Sequence, residues 1–132
     1  MSTQVPSRYD DIADRVPRSL SDLRGPATGE VPLPLHLCWS GVREFDVANP
    51  AIRLGMYQIV IAEGMLPDVE GFLDARLLTE IWPKLRRLIN SAARVEWESR
   101  FPSLAETARA HEAEVRAEIR RAREAIRARA AS

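Results

Sequence analysis

The apolar positions of this chain change period as it proceeds, and the changes divide it. Val31, Leu33, Leu35, Leu37 and Trp39 alternate with Pro32, Pro34, His36 and Cys38. A period of two predicts an extended segment with one buried face. Pro32 and Pro34 lack N–H donors on the same side, so the segment pairs along one side at most near its start, as an edge strand or an unpaired arm. Ser40-Gly41 suits a turn, and Val42 to Val47 a short returning strand. A two-stranded hairpin is marginal alone and needs helices to lie on.

From Asn49 onward the period is helical. Asn49-Pro50 has the form of an N-cap followed by a first helical residue, and Ile52, Met56, Ile59 and Val60 keep helical spacing up to a stop at Gly64. Tyr57 and Ile61 widen the apolar face, which marks this as the central core helix. Leu66-Pro67-Asp68 begins a short helical segment expected to break at Gly71. Asp74 suits the cap of a helix carrying Leu77, Leu78, Ile81 and Trp82. Pro83 disfavours helical backbone at Trp82, which predicts a kink or break there. It also suits the start of an amphipathic helix with Leu85, Leu88, Ile89, Ala92, Val95 and Trp97 at i, i+3, i+4, i+7 spacing, ended by Phe101-Pro102.

The first thirty residues are punctuated by Pro6, Pro17, Gly25, Pro26 and Gly29. Between them, Tyr9 to Val16 could form two helical turns with Ile12 and Val16 on one side, and Ser21-Asp22-Leu23 another short turn. Such an arm needs the body of the protein, or a partner, to become ordered. The expected fold class is therefore mainly α: a small helical domain with a short β-hairpin or extended arm and a long C-terminal helix. Its divisions are an arm over 1–30, a helical core with a short β segment over 31–102, and an amphipathic helix over 103–132.

That last helix is the most distinctive element. Ser103-Leu104-Ala105-Glu106 fits a capping box, and from there to Arg129 no Gly or Pro intervenes. Ten alanines between Ala105 and Ala131 accumulate helix propensity. Glu112–Arg116 is a favourable i,i+4 pair, and Glu106–Arg109, Glu118–Arg121 and Glu124–Arg127 are i,i+3 pairs. Leu104, Val115 and Ile126 recur at eleven-residue intervals, beside Ala108, Ile119 and Ala130. Eleven residues in three turns is about 3.67 per turn, so the stripe runs nearly straight. A heptad seam fits worse, because it places His111, Glu118 and Arg129 in the core. The stripe is too thin for a core helix. Three readings follow: a solvated or folded-back tail, a helix contacting another chain, or nucleic-acid contact through Arg116, Arg120, Arg121, Arg123 and Arg127.

Charge weighs on the third reading. The 19 basic and 19 acidic residues cancel, whereas a protein binding nucleic acid mainly through phosphate usually carries a basic excess. Five glutamates also lie among the helix's seven arginines. Nucleic acid is accordingly an unfavoured partner. The N-terminus has no basic start followed by an apolar run, and the longest apolar run, Met56 to Ala62, is interrupted by Gln58 and too short to cross a bilayer. A cytoplasmic protein with no membrane contact is expected. One lysine, Lys84, among the 19 basic residues, together with the Ala-rich C-terminus, suggests a GC-rich bacterial source.

Little in the chain suggests chemistry. Cys38 is the single cysteine, which excludes an intrachain disulfide and a Cys-based zinc site within one chain. In an extended segment His36 and Cys38 would share a face, where imidazole could activate a thiol, yet no orienting acid or oxyanion donor can be assigned. Cys38 suits a packing role better. Asp10, Asp11 and Asp14 could share a helical turn, but partner ligands for a metal are lacking. No P-loop, dinucleotide-binding or zinc-protease motif occurs. No catalytic residue, metal or cofactor is expected. Trp39, Trp82 and Trp97 suit core packing, and Trp97, near a helix end and off the main stripe, is the one most suited to anchor an interface.

Val31-Pro-Leu-Pro-Leu-His-Leu-Cys-Trp-Ser-Gly, Phe45-Asp46, Ala51-Ile-Arg-Leu-Gly-Met-Tyr, Ile61-Ala-Glu-Gly and Trp82-Pro-Lys-Leu-Arg together resemble a group of small actinobacterial proteins. Those proteins are similar to ones encoded beside nucleotidyltransferase-like toxins of the abortive-infection type. The resemblance spans roughly residues 8–104 and carries no motif of chemical role. It implies an antitoxin or accessory subunit with such a toxin as partner. The expected function is thus a non-enzymatic, protein-binding regulatory module, with a transcriptional or other nucleic-acid-binding regulator as the alternative. Candidate partner-binding residues are Leu104, His111, Val115, Ile119, Arg120 and Ile126 of the C-terminal helix, together with Trp97. Self-association through that helix is a further possibility.

Overall fold

The computed structural model describes residues 11–39 and 44–131. In chain order these form α1 (Ile12–Arg15), a 3-10 turn (Leu20–Asp22), β1 (Glu30–Pro32), β2 (Glu44–Asp46), α2 (Pro50–Glu63), α3 (Leu66–Phe72), α4 (Ala75–Leu85), α5 (Ser91–Arg100) and α6 (Pro102–Ala131). The fold is mainly helical, with one antiparallel two-stranded hairpin and a long C-terminal helix.

The Asn49 carboxamide oxygen accepts hydrogen bonds from the Ala51 and Ile52 amides at 3.0 and 3.4 Å, so α2 starts where its sequence indicates. Met56, Tyr57 and Val60 are wholly buried on α2, which packs against β2, α3 and α4. Gly64 ends the helix with extended backbone, φ −82° and ψ 149°, and not in a left-handed cap. Space is what it supplies: a Cβ there would lie 2.5 Å from the Val60 carbonyl oxygen.

The hairpin is shorter than the alternation suggested. Val31 pairs with Phe45, and these two point inward. After Pro34 the chain turns, because the Leu37 and Cys38 amides both donate to the Pro34 carbonyl, at 3.0 and 3.1 Å. Leu33 and Leu37 therefore reach the core while Leu35 and Trp39 of the same expected face are exposed. The expected Ser40-Gly41 turn lies outside the described residues.

Three further expectations are corrected. First, α3 continues through Gly71 to Phe72, and the arm covers its end: the Arg24 amide donates to the Glu70 carbonyl at 2.7 Å and the Gly25 amide to that of Leu73 at 2.8 Å. Second, α4 runs through Pro83 to Leu85. An interior proline costs about 3 kcal/mol. Continuing the helix buries Leu77, Leu78, Ile81, Trp82 and Leu85 on one face, and each such side chain contributes about 1.5–3 kcal/mol. Third, no single helix spans Leu85 to Trp97. Residues 86–90 turn, and Asn90 starts α5 by accepting the Ala92 amide at 2.8 Å, leaving Leu88 and Val95 exposed.

Ile12, Val16 and Leu23 of the arm belong to the same core as Trp82, Trp97 and Leu104. The Arg100 guanidinium fastens α1 by donating to the Val16 and Ala13 carbonyls at 2.8 and 3.2 Å. Finally, α6 starts at Pro102, two residues earlier than a Ser103 cap requires. Ser103 is already helical, and its carbonyl accepts the Thr107 hydroxyl at 2.9 Å.

Candidate functional site

On a helix of 3.6 residues per turn, Leu104, Ala108, Val115, Ile119 and Ile126 fall on one face of α6. The structure divides that face in two. Leu104 and Ala108 are buried, at 0% and 3% exposure, where α6 packs on α4 and α5. Val115, Ile119 and Ile126 are exposed by 38%, 47% and 67%. From Ala113 to Ala131 every described residue is exposed except the half-buried Ala117. Thirty residues at 1.5 Å rise give a helix about 45 Å long, of which roughly the last 28 Å stands clear of the domain.

Glu112 marks the point of departure. Its carboxylate lies 3.5 Å from Arg86 and 3.8 Å from Arg87, both in the turn after α4, and 3.9 Å from Arg116 one turn along α6. The contacts with Arg86 and Arg87 tie α6 to the turn after α4 at the point where the rod leaves the domain. The sequence indicates Glu112–Arg116 by spacing alone, but the arginines at 86 and 87 are too distant along the chain for any local pattern to pair them with Glu112.

Two concavities flank the base of the rod and share Pro83, Lys84 and His111. One, of about 390 Å³, includes Arg87, Glu112 and Val115. The other, of about 580 Å³, reaches the start of α2 and includes Arg53 and Glu80. Arg53 is buried, donating to the Val47 carbonyl at 2.8 Å and to Glu80 at 3.3 Å. Arg53 thereby joins the turn after β2 to α2 and α4, a role the sequence pattern did not reveal.

The expected partner-binding residues now separate. His111, Val115, Ile119, Arg120 and Ile126 are exposed along or beside the rod's base and stripe. Leu104 is a core residue, because the first two turns of α6 lie on the domain. Trp97 is also corrected: it is 2% exposed, with its ring 6.1 Å from that of Trp82 and 5.8 Å from that of Phe101. The missed signal is Asn90 as the N-cap of a new helix, which places Trp97 inward and Val95 outward.

His36 and Cys38 do not share a face. The turn after Pro34 leaves His36 exposed, with Nε2 3.0 Å from the Asp68 carboxylate, while Cys38 is buried. A concavity of about 630 Å³ lies beside them, walled by α2 and the exposed Trp39. Among the described residues no three His, Cys, Asp or Glu side chains converge to hold a metal ion, and no helix is long and apolar enough to cross a membrane. Comparison with known protein families, curated proteins and solved structures finds no match.

Proposed function

We propose that this chain is a non-enzymatic, cytoplasmic protein-binding module that engages its partner through the exposed stripe of α6. The observation that carries this reading is the division of one helical face: its first two turns complete the chain's own core, and its continuation, Val115, Ile119 and Ile126, is left open. Nothing in the domain requires that continuation. A solvated tail has no need of apolar residues at helical spacing, whereas amphipathic helices commonly dock by such anchors. An antitoxin or accessory subunit of a bacterial toxin, the role implied by the resemblance, is a regulator of this kind.

The test uses the full-length chain. Tagged wild-type protein and Ile119→Arg/Ile126→Arg are used to capture partners from the source cell, with helicity compared by circular dichroism. Partners retained by the wild type and lost by the equally helical variant are expected. Identical sets at identical yield would remove the rod from the binding surface.

The far end of α6 supports a second reading, as a nucleic-acid-binding regulator: between Arg120 and Arg129 five arginines face one glutamate. Binding of that kind falls steeply with salt. Absent or salt-independent binding of duplex DNA or RNA would exclude it.

A further inference from the structure

The exposed part of α6 is segregated by charge, and this selects among possible partners. From Glu112 to Glu118 three glutamates accompany one arginine, a net charge of −2; from Arg120 to Arg129 five arginines accompany one glutamate, a net charge of +4. Resting on the reading of the stripe as a docking face, we propose that its occupant is the same stripe of a second copy of this chain, laid antiparallel.

Three observations lead there. Parallel pairing would set the +4 halves against each other, while antiparallel pairing sets each basic half beside the acidic half of its mate. A two-fold axis crossing the stripe between Arg120 and Arg121 brings Val115 level with Ile126 of the second copy and Ile119 level with Ala122, a large side chain meeting a small one. At about 100° per residue, Glu112 and Arg123 border one side of the stripe, and Glu118 and Arg129 the other. An antiparallel two-fold preserves these sides, so each glutamate shares its flank with an arginine of the mate, offset by six residues or about 9 Å along the axis. The eleven-residue repeat, at about 3.67 residues per turn, lets two rods pair with only a slight right-handed supercoil. The two domains, each at the start of its own α6, then lie at opposite ends of the pair.

Sedimentation of the purified full-length chain tests this. The wild type should show a concentration-dependent dimer, weakened more than about tenfold by Ile119→Arg, which buries an unpaired charge at the centre. Arg123→Glu/Arg129→Glu and Glu118→Arg should each dimerise less well alone at low salt. An equimolar mixture of those two variants should recover a mixed dimer, which also shows that both are folded. A wild type monomeric at all concentrations, or a dimer indifferent to Ile119→Arg, overturns self-pairing. If partner capture is nonetheless lost in Ile119→Arg/Ile126→Arg, the docking face stands without it. A dimer that loses stability in Ile119→Arg but is unchanged in both charge variants overturns the antiparallel arrangement.

Discussion

Arg86, in the turn after α4, and Glu98 of α5 form a bidentate pair with Nε–Oε2 at 2.8 Å and Nη2–Oε1 at 3.2 Å. The Trp82 indole N–H donates to the same Oε2 at 2.9 Å, and Arg86 also approaches Glu112 of α6. One guanidinium thus joins three helices at the base of the rod. Burial alone would raise the Glu98 carboxyl, but the hydrogen bonds from Arg86 and Trp82 and the nearby Arg94 charge outweigh it and hold the group below its usual range. Glu98, in turn, holds the Arg86 guanidinium above its own ordinary value.

The depressed Glu98 carboxyl makes the fold acid-sensitive in a definite direction. Because the group binds its proton more weakly in the folded chain, its contribution is complete above its unfolded value of 4.5 and disappears as pH falls through the folded value. Glu98→Gln should lose about 1.5–3 kcal/mol at neutral pH, the range for hydrogen bonds to charged groups. It should also show a shallower fall in stability between neutral pH and pH 3. Urea melts of both proteins across that interval measure this, and parallel curves would show that Glu98 is not a source of the acid sensitivity.

The elements readable in advance are those fixed by local chemistry. Asn49 and Asp74 cap α2 and α4 through their own side chains, within three residues of the groups they bind. Ile12 and Val16 reach the core at the spacing a helical turn requires. The misread elements were decided by distant partners. Apolar spacing from Leu85 to Trp97 satisfies a continuous helix, yet Arg86 meets Glu98 only if the chain turns between them, and Asn90 then starts a new helix. The same turn buries Trp97. For α6 the straight stripe and its exposed continuation were legible, but the burial of Leu104 and Ala108 was not. It depends on where α4 and α5 place their own apolar faces.

Tyr57 carries the alkaline counterpart. Burial pushes its phenol up to about 12 from 10.0, and the Asp74 amide donates to its oxygen at 3.0 Å. The neutral phenol is favoured by folding, so its contribution is complete below 10 and lost as pH rises toward 12. Tyr57→Phe should flatten stability over that window and cost about 1–3 kcal/mol at neutral pH, since the Asp74 N–H loses its acceptor. Ultraviolet titration should show a late-ionising phenolate in the wild type and none in the variant. A wild-type chain whose tyrosines all ionise near 10 would contradict this account.

The two glycines at the junction of the arm and α3 should respond oppositely to alanine. A Cβ on Gly25 would lie 2.4 Å from the backbone carbon and oxygen of Phe72, which cannot withdraw without breaking the arm's hydrogen bonds to α3. Gly25→Ala should cost about 1–3 kcal/mol. Gly71, inside α3, has open space where a Cβ would stand, so Gly71→Ala should stabilise by about 0.5–1 kcal/mol through helix propensity. Denaturant midpoints of the two variants should move in opposite directions.

The division of α6 predicts a contrast along a single stripe. Leu104 and Ile126 lie on the same helical face, but Leu104 is wholly buried against the domain and Ile126 is 67% exposed. Leu104→Ala opens a cavity beneath α6 and should cost about 2–5 kcal/mol. Ile126→Ala removes no contact with the domain and should stay within about 0.5 kcal/mol at concentrations where the chain is monomeric. Alanine's better helix propensity also favours that substitution locally. At higher concentration the order of sensitivity changes, because loss of Ile126 weakens association while loss of Leu104 weakens the domain itself. Chemical denaturation at two protein concentrations separates these effects: the Leu104→Ala deficit should persist at both, and an Ile126→Ala deficit should emerge only at the higher. A large deficit for Ile126→Ala in dilute solution would mean that the distal helix folds back onto its own domain.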